Sequence, residues 1–275
     1  MTADAGSRSG SGSVSTPSAP LTAPLAHMLA EHVRAQFLSF LRNVALSVVS
    51  IVMPALLFAF IAMADSTREY APGVTFAEYF LASMAAYAVS SVMIFNFGVS
   101  VAVERGQKVD VLIRAGPLPP TVYLAARVLT ALAFAVVALA VLFAFAFLAV
   151  GVDMPLSTWL LLGGELLVGS VPFIALGFAI AYLAGPNAAA AIANVTYLML
   201  AFASGLFIPF NQLPEFVRTI APLLPVYHYA QLAWSAVGIA GEPPLTSLAW
   251  LAGYAIVFLA IAAWAYRREM GRSFA

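Results

Sequence analysis

Cysteine is absent from this 275-residue chain, which excludes disulfides, thiolate metal ligands and a cysteine nucleophile. Charge is scarce: 9% of the residues are charged and the formal net charge is zero. A soluble domain carries about 25% charged residues, and a nucleic-acid binder carries a basic footprint that is missing here. Lysine occurs once, as Lys108 between Gln107 and Val109. The phosphate-cradling pattern Gly-x-x-x-x-Gly-Lys-Ser/Thr is therefore absent, and the chain cannot bind and hydrolyse ATP in that way by itself. The histidines His27, His32 and His228 are too widely spaced for a metal-ligand pattern. No nucleophile–base constellation or metal-binding cluster suggests catalysis.

What the chain has instead is apolar surface. Hydrophobic residues make up 63% of it, with a mean hydropathy of +0.97. There are too few polar residues to coat a soluble core of this size, so lipid is the solvent for most of the chain. Six apolar segments are long enough to span a bilayer: 44–64, 80–103, 122–150, 158–183, 189–208 and 245–266. The spacing predicts an all-α integral membrane protein with six transmembrane helices. Residues 1–24 are rich in Ser, Thr, Gly, Ala and Pro. They read as a disordered cytoplasmic tail without the apolar centre of a cleaved signal. Residues 25–275 read as one transmembrane domain. Its first part, Leu25 to Asn43, places Leu25, Leu29, Val33, Phe37 and Phe40/Leu41 at helical spacing. That pattern suits a helix lying on the membrane surface; the alternative is a plain cytosolic extension of the first span.

Basic residues orient the spans. With six crossings, Arg8, Arg34, Arg42, Arg105, Lys108, Arg114, Arg127, Arg267, Arg268 and Arg272 fall on one side, and only Arg68 and Arg218 on the other. The positive side faces the cytoplasm, so both termini are expected there, in a multi-pass inner-membrane protein.

The loop between the second and third spans runs Glu104-Arg105-Gly106-Gln107-Lys108 and ends in Gly116-Pro117-Leu118-Pro119-Pro120. Val109, Leu112 and Ile113 share one face of a short helix, bordered by Lys108, Asp110 and Arg114. The loop is read either as a docking helix for a partner's groove or as a connector whose charges fix topology.

On the other side, Leu213, Phe216, Val217, Ile220 and Leu224 repeat at helical spacing, while Pro209, Pro214, Pro222 and Pro225 divide the stretch. It is too broken to cross and too apolar for a free loop. Re-entrant short helices acting as an external gate fit both facts; a helix resting on headgroups is the alternative. Within the spans, Glu165 follows Gly163-Gly164 and needs a polar surrounding. It is either a contact for a cationic or proton-linked substrate or a structural hydrogen-bonding group. Asn96 and Asn194 either line a pathway or an interface or serve packing, and Pro54 and Pro172 are expected to kink their helices. His228, between Tyr227 and Tyr229, reads as part of an interfacial aromatic belt.

Glu104-Arg105-Gly106, then Leu112, then Gly116-Pro117-Leu118-Pro119, then Tyr123-Leu124-Ala125-Ala126-Arg127 resembles the permease subunit of ABC-2 type exporters. So does Gly205-Leu206-Phe207-Ile208-Pro209 followed by Leu213-Pro214-Glu215-Phe216 and Ile220-Ala221-Pro222-Leu223-Leu224-Pro225. The resemblance, closest to the drug-resistance and natural-product branch, covers residues 25–266. It implies that Glu104, Arg105, Gly106, Lys108, Val109, Leu112, Ile113, Arg114 and Pro117 belong to a coupling helix contacting a separate ABC-type ATPase, in two copies. It also implies that Pro209, Leu213, Pro214, Phe216, Pro222 and Pro225 cap the outer end of the path. ATP and Mg would be bound by that partner and no cofactor by this chain. A second permease copy, identical or related, would complete the complex, and a drug, lipid or secondary metabolite would be exported. The rival reading is a proton-coupled secondary transporter using Glu165; a channel or structural membrane protein is a third.

Overall fold

A computed structural model describes residues 25–42, 51–63, 65–107 and 120–272. The expected tail, 1–24, lies outside the described residues. Most of the described chain is helical. In order it forms α1 (Leu25–Arg42), α2 (Met53–Ala62), a two-stranded hairpin of β1 (Glu69–Ala71) and β2 (Val74–Thr75), α3 (Phe76–Gly106), α4 (Pro120–Phe145, continued by a π-helical turn, Ala146–Val150), α5 (Leu156–Gly169), α6 (Val171–Leu183), α7 (Ala189–Ala203), α8 (Glu215–Ile220), α9 (Pro225–Ala236) and α10 (Pro244–Arg272).

Among the described residues, four helical stretches are long and apolar enough to cross a bilayer: Phe76–Gly106, Thr121–Val150, Leu156–Leu183 and Pro244–Arg268. They coincide with the second, third, fourth and sixth expected spans. The first and fifth coincide with shorter apolar helices, Met53–Ala62 and Ala189–Ala203. Residues 43–50, in the first half of the first expected span, lie outside the described residues. The fifth stops short of Ile208 because Gly205, at φ 84°, turns the chain.

α3 is the axis of the bundle. It starts in a capping box: the Glu78 N–H donates to Thr75 Oγ1 at 3.3 Å, and the Thr75 N–H donates back to the Glu78 carboxylate at 2.7 Å. Eighteen of its first nineteen residues are partly to fully buried core, and the lone half-exposed one is Glu78 of the cap. Around it pack α2, α4, α5, α6, α7 and α9. α10 lies against α6 and α9 and turns most of its surface outward, including Ile256, Val257 and Leu259. Large apolar side chains that face outward on membrane spans are what a hydrocarbon solvent selects.

Two irregularities shape the middle of the bundle. α3 contains a π-helical segment, Phe95–Ser100, and there its backbone touches α6. A Cβ on Gly177 would stand 2.8 Å from Phe97 Cβ and 3.0 Å from the Gly98 nitrogen, so only glycine permits this approach. The fourth expected span is broken in two at Ser170, as Pro172 predicts. Proline supplies no N–H to the preceding turn, and the Ser170 N–H is drawn to the Leu167 carbonyl at 3.4 Å, with Ser170 Oγ donating to the same oxygen at 2.7 Å. Pro54 stands in the first turn of α2, directly after a π-helical turn at Ile51 and Val52.

Candidate functional site

The expected coupling segment is bracketed by the end of α3 and the start of α4. Lys108, Val109, Leu112, Ile113, Arg114 and Pro117 lie within 108–119, outside the described residues. Glu104, Arg105 and Gly106 are described, and each is bound to a different neighbour. Glu104 receives a two-pronged contact from Arg127 on α4: Nη1 lies 2.7 Å from Oε2 and Nη2 2.9 Å from Oε1. The Tyr123 hydroxyl, one turn earlier on α4, donates to Glu104 Oε2 at 2.5 Å and accepts from Arg127 Nη1. The Arg127 side chain is 4% exposed. A buried guanidinium needs this pairing; breaking one partner of such a pair costs about 3–5 kcal/mol.

Arg105 points the other way. Its guanidinium donates to the Ala181 carbonyl in the last turn of α6, where helix dipoles favour a cation, and lies over the Tyr182 ring at 4.7 Å. Tyr182 in turn meets Tyr266 of α10 edge-on at 5.3 Å. Gly106 abuts Pro186 in the turn before α7: a Cβ there would stand 2.8 Å from the proline Cγ.

α1 lies across the same corner. His32 meets Tyr123 edge-on at 5.7 Å and Phe37 stacks on Phe134 at 4.4 Å. Its half-buried positions include Leu29, Val33 and Phe37, three members of the stripe read from the sequence, so that stripe is the face turned to α4. Burial holds the His32 imidazole below its ordinary range; Glu104 opposes this and Arg127 adds to it.

The opposite, hairpin end contains the expected gate. Pro209 precedes a 3-10 turn, Phe210–Gln212; Leu213 is buried; Pro214 caps α8; Phe216 is exposed; Pro222 sits in a second 3-10 turn, Ala221–Leu223; and Pro225 opens α9. α8 is a surface helix. α9 is buried among α3, α5 and α10, and its twelve residues reach about 18 Å, less than the roughly 30 Å of a bilayer core. Its seat is the break in the fourth span. The Leu166 carbonyl, deprived of the Ser170 N–H, accepts the Tyr229 hydroxyl at 2.7 Å. Trp234 Nε1 donates to Ser83 Oγ at 2.8 Å, and the Tyr79 hydroxyl to the Gly205 carbonyl at 3.3 Å.

Residues 62–264 match the sequence family described as ABC-2 family transporter protein. The chain belongs to that family. It is also 29% identical, over 229 residues covering 83% of this chain and 93% of the other, to the Bacillus subtilis (strain 168) protein named "Putative transport permease YvfS". The chain is thus a multi-pass membrane transport permease, and the ABC-2 resemblance read from its two motifs is the correct one.

Other sequence-predicted residues of this ABC-2 chain do not converge. Asn96 is buried in the π segment of α3, Asn194 is exposed on α7, and Glu165 is half-buried on α5. Among the described residues no hydrogen bond joins any two of them, and Glu165 Oε2 has no partner. An apolar groove of about 630 Å³ runs between α4 and α5, lined by Leu139, Phe143, Trp159 and Gly163 among others. Glu165 is not part of its lining; at 100° per residue it falls on the other side of α5.

Two residues find partners that the sequence did not show. Arg127, one of the basic residues that orient the spans, also pairs with Glu104; its signal was an arginine one turn inside a span, which demands a carboxylate at the same depth. His228, read with Tyr227 and Tyr229 as part of an interfacial belt, also has polar partners of its own. It is buried, with Nδ1 2.9 Å from Glu242 Oε2 and Nε2 2.9 Å from the Pro222 carbonyl. Neutral spacing rules could not find Glu242, fourteen residues away across a turn.

Proposed function

We propose that this permease is the membrane-spanning subunit of an ATP-driven exporter whose motor is a separate ABC-type ATPase, bound in two copies to a pair of permeases. The pair is two copies of this chain or this chain with a related one. ATP and Mg belong to the ATPase; this chain supplies the path. In this reading the chain crosses the inner membrane six times, with both termini and the 104–118 segment in the cytoplasm and α8 and α9 as re-entrant helices at the outer surface.

The observation that carries the proposal is the way the two ends of the 108–119 segment are tied. Glu104 and Arg105 are adjacent in sequence, yet one is bound to α4 and the other to α6, with α1 laid over the joint. A force on the intervening loop is therefore transmitted to α1, α3, α4 and α6 together. Closure of the ATPase dimer would tilt these helices as a block and change access to a cavity between the permeases. A hydrophobic or amphipathic cargo (drug, lipid or secondary metabolite) would leave past the 205–228 segment.

The test is co-expression with an ATPase encoded beside the gene, followed by purification. The pair is expected to co-purify and to separate when Val109→Asp and Leu112→Asp are introduced together, with the permease still monodisperse. Transport that continues without any ATPase and disappears in Glu165→Gln would replace this reading with proton-coupled transport, to which the unpartnered Glu165 Oε2 would then be central.

A further inference from the structure

We propose that His228 and Glu242 form a proton-dependent latch that pins the turn ahead of α9 to α9 and α10. Both nitrogens of the His228 ring face oxygen atoms: Nδ1 lies 2.9 Å from Glu242 Oε2, and Nε2 lies 2.9 Å from the Pro222 carbonyl oxygen. The Pro222 oxygen can only accept, and a neutral imidazole carries a single N–H. If that N–H is given to Pro222, Nδ1 turns a lone pair toward the carboxylate. If it is given to Glu242, Nε2 turns a lone pair toward the carbonyl. In either tautomer one of the two contacts is between acceptors. One added proton, held between Nδ1 and Oε2, converts both contacts into hydrogen bonds, as an imidazolium–carboxylate pair or as a neutral pair with a protonated carboxyl.

The surroundings accommodate that proton. The Trp250 ring lies flat on the imidazole, 5.0 Å away and inclined by 8°, presenting the face that attracts a cation. Ser247 Oγ donates to the same Glu242 oxygen at 3.5 Å, and the Glu242 N–H donates to Gln231 Oε1 at 3.4 Å, which orients the carboxylate loop. The other titratable groups facing the ring are phenols: Tyr227, edge-on at 5.4 Å, and Tyr254 of α10 at 6.5 Å. Among the described residues no arginine or lysine pairs with Glu242.

The latch acts on a defined element. Pro222 belongs to the 3-10 turn Ala221–Leu223, and the next carbonyl, that of Leu223, accepts the Tyr254 hydroxyl at 2.5 Å. Successive carbonyls of the turn are thus held by one side chain from α9 and one from α10, while Glu242 anchors the loop that enters α10. With the shared proton in place the turn, α9 and the α10 entry are one unit. Without it the single N–H of the neutral ring goes to the Glu242 carboxylate, the stronger acceptor, and of the two side-chain bonds the turn keeps only that of Tyr254. The consequence for transport rests on reading 205–228 as an outer lid, but the latch is testable without any transport assay.

Because the chain has no cysteine, Leu223→Cys, at an exposed position, takes a single nitroxide spin label on the full chain in phospholipid nanodiscs. In the otherwise unaltered protein the label is expected to be immobilised at about pH 5 and to gain mobility toward about pH 9, the range over which imidazole groups change charge. Glu242→Gln should abolish this response and leave the label immobilised throughout, since the amide N–H can donate to Nδ1 without an added proton. His228→Phe should leave it mobile throughout. A label insensitive to pH in the parent protein, or a pH response that survives Glu242→Gln, overturns the latch, whatever the outcome of the ATPase test.

Discussion

The two ends of α3 are held by different forces. At the loop end a buried guanidinium meets a carboxylate, with a phenol bridging them, and a second arginine reaches a helix C-terminus. At the hairpin end, among the described residues, no ion pair ties α3 to another helix: Tyr79 stacks on Tyr70 at 3.9 Å and approaches Trp234 at 5.5 Å, and single hydrogen bonds seat α9. The contrast is one of directionality. A two-pronged ion pair has one good geometry and resists shear between α3 and α4. Stacked rings keep most of their contact while sliding, and a lone hydrogen bond contributes only about 1 kcal/mol net. Under the proposed function, force would enter at the loop end and the hairpin end would open, and such a machine needs this asymmetry: a stiff joint where it is pushed and a repackable one where it yields.

The comparison is broken most directly at the stiff end. Arg127→Met leaves the Glu104 carboxylate without its counter-ion and is expected to lower stability by about 3–5 kcal/mol, read as a fall in the thermal unfolding midpoint in detergent. Glu104→Gln combined with Arg127→Met should recover much of that loss, because no unpaired charge then remains buried. A loss under about 1 kcal/mol for Arg127→Met would mean that the pair is solvated and the stiff joint illusory.

A smaller effect is expected at the yielding end. Tyr229→Phe removes the donor from the Leu166 carbonyl, which the break at Ser170 has already freed from its helix. The cost should be about 1–3 kcal/mol, seen as faster amide exchange in α9 with α3 unchanged. Equal loosening of both helices would show that the two ends do not behave independently.

The smallest effect concerns α1. Burial keeps the His32 imidazole below its ordinary range in the docked helix. The docked state therefore prefers neutral His32. Docking is complete above the ordinary histidine range and is lost as pH falls through that range toward the lowered value. Acidification should weaken the packing of α1 on α4, detectable as increased proteolysis after Arg34, and His32→Phe should remove the pH dependence. Docking that strengthens on acidification would reverse the sign and point to Glu104 as the dominant neighbour of His32.

Much of this was legible in the chain, element by element. Leu29, Val33 and Phe37 announced the docked face of α1 because helical periodicity is local. Pro172 announced the break in the fourth span because a missing N–H acts on its own helix. Pro209, Pro214, Pro222 and Pro225 announced short pieces before α10. The partners were not legible. Arg127 finds Glu104 twenty-three residues away, Arg105 finds Ala181, and His228 finds both Pro222 and Glu242. Nothing in the spacing of those residues encodes which of several helix faces they will meet.

By itself, then, the sequence determined the solvent, the helices and their breaks, since each of these follows from composition or from interactions within a few residues; the family was legible only as the resemblance of two motifs. Tertiary structure decided which charges are spent internally, where the short α9 is seated and which end is stiff. The physical reason is that a buried polar group must be satisfied by whatever the packing brings within hydrogen-bonding distance, and that partner is chosen by three-dimensional proximity rather than by position along the chain.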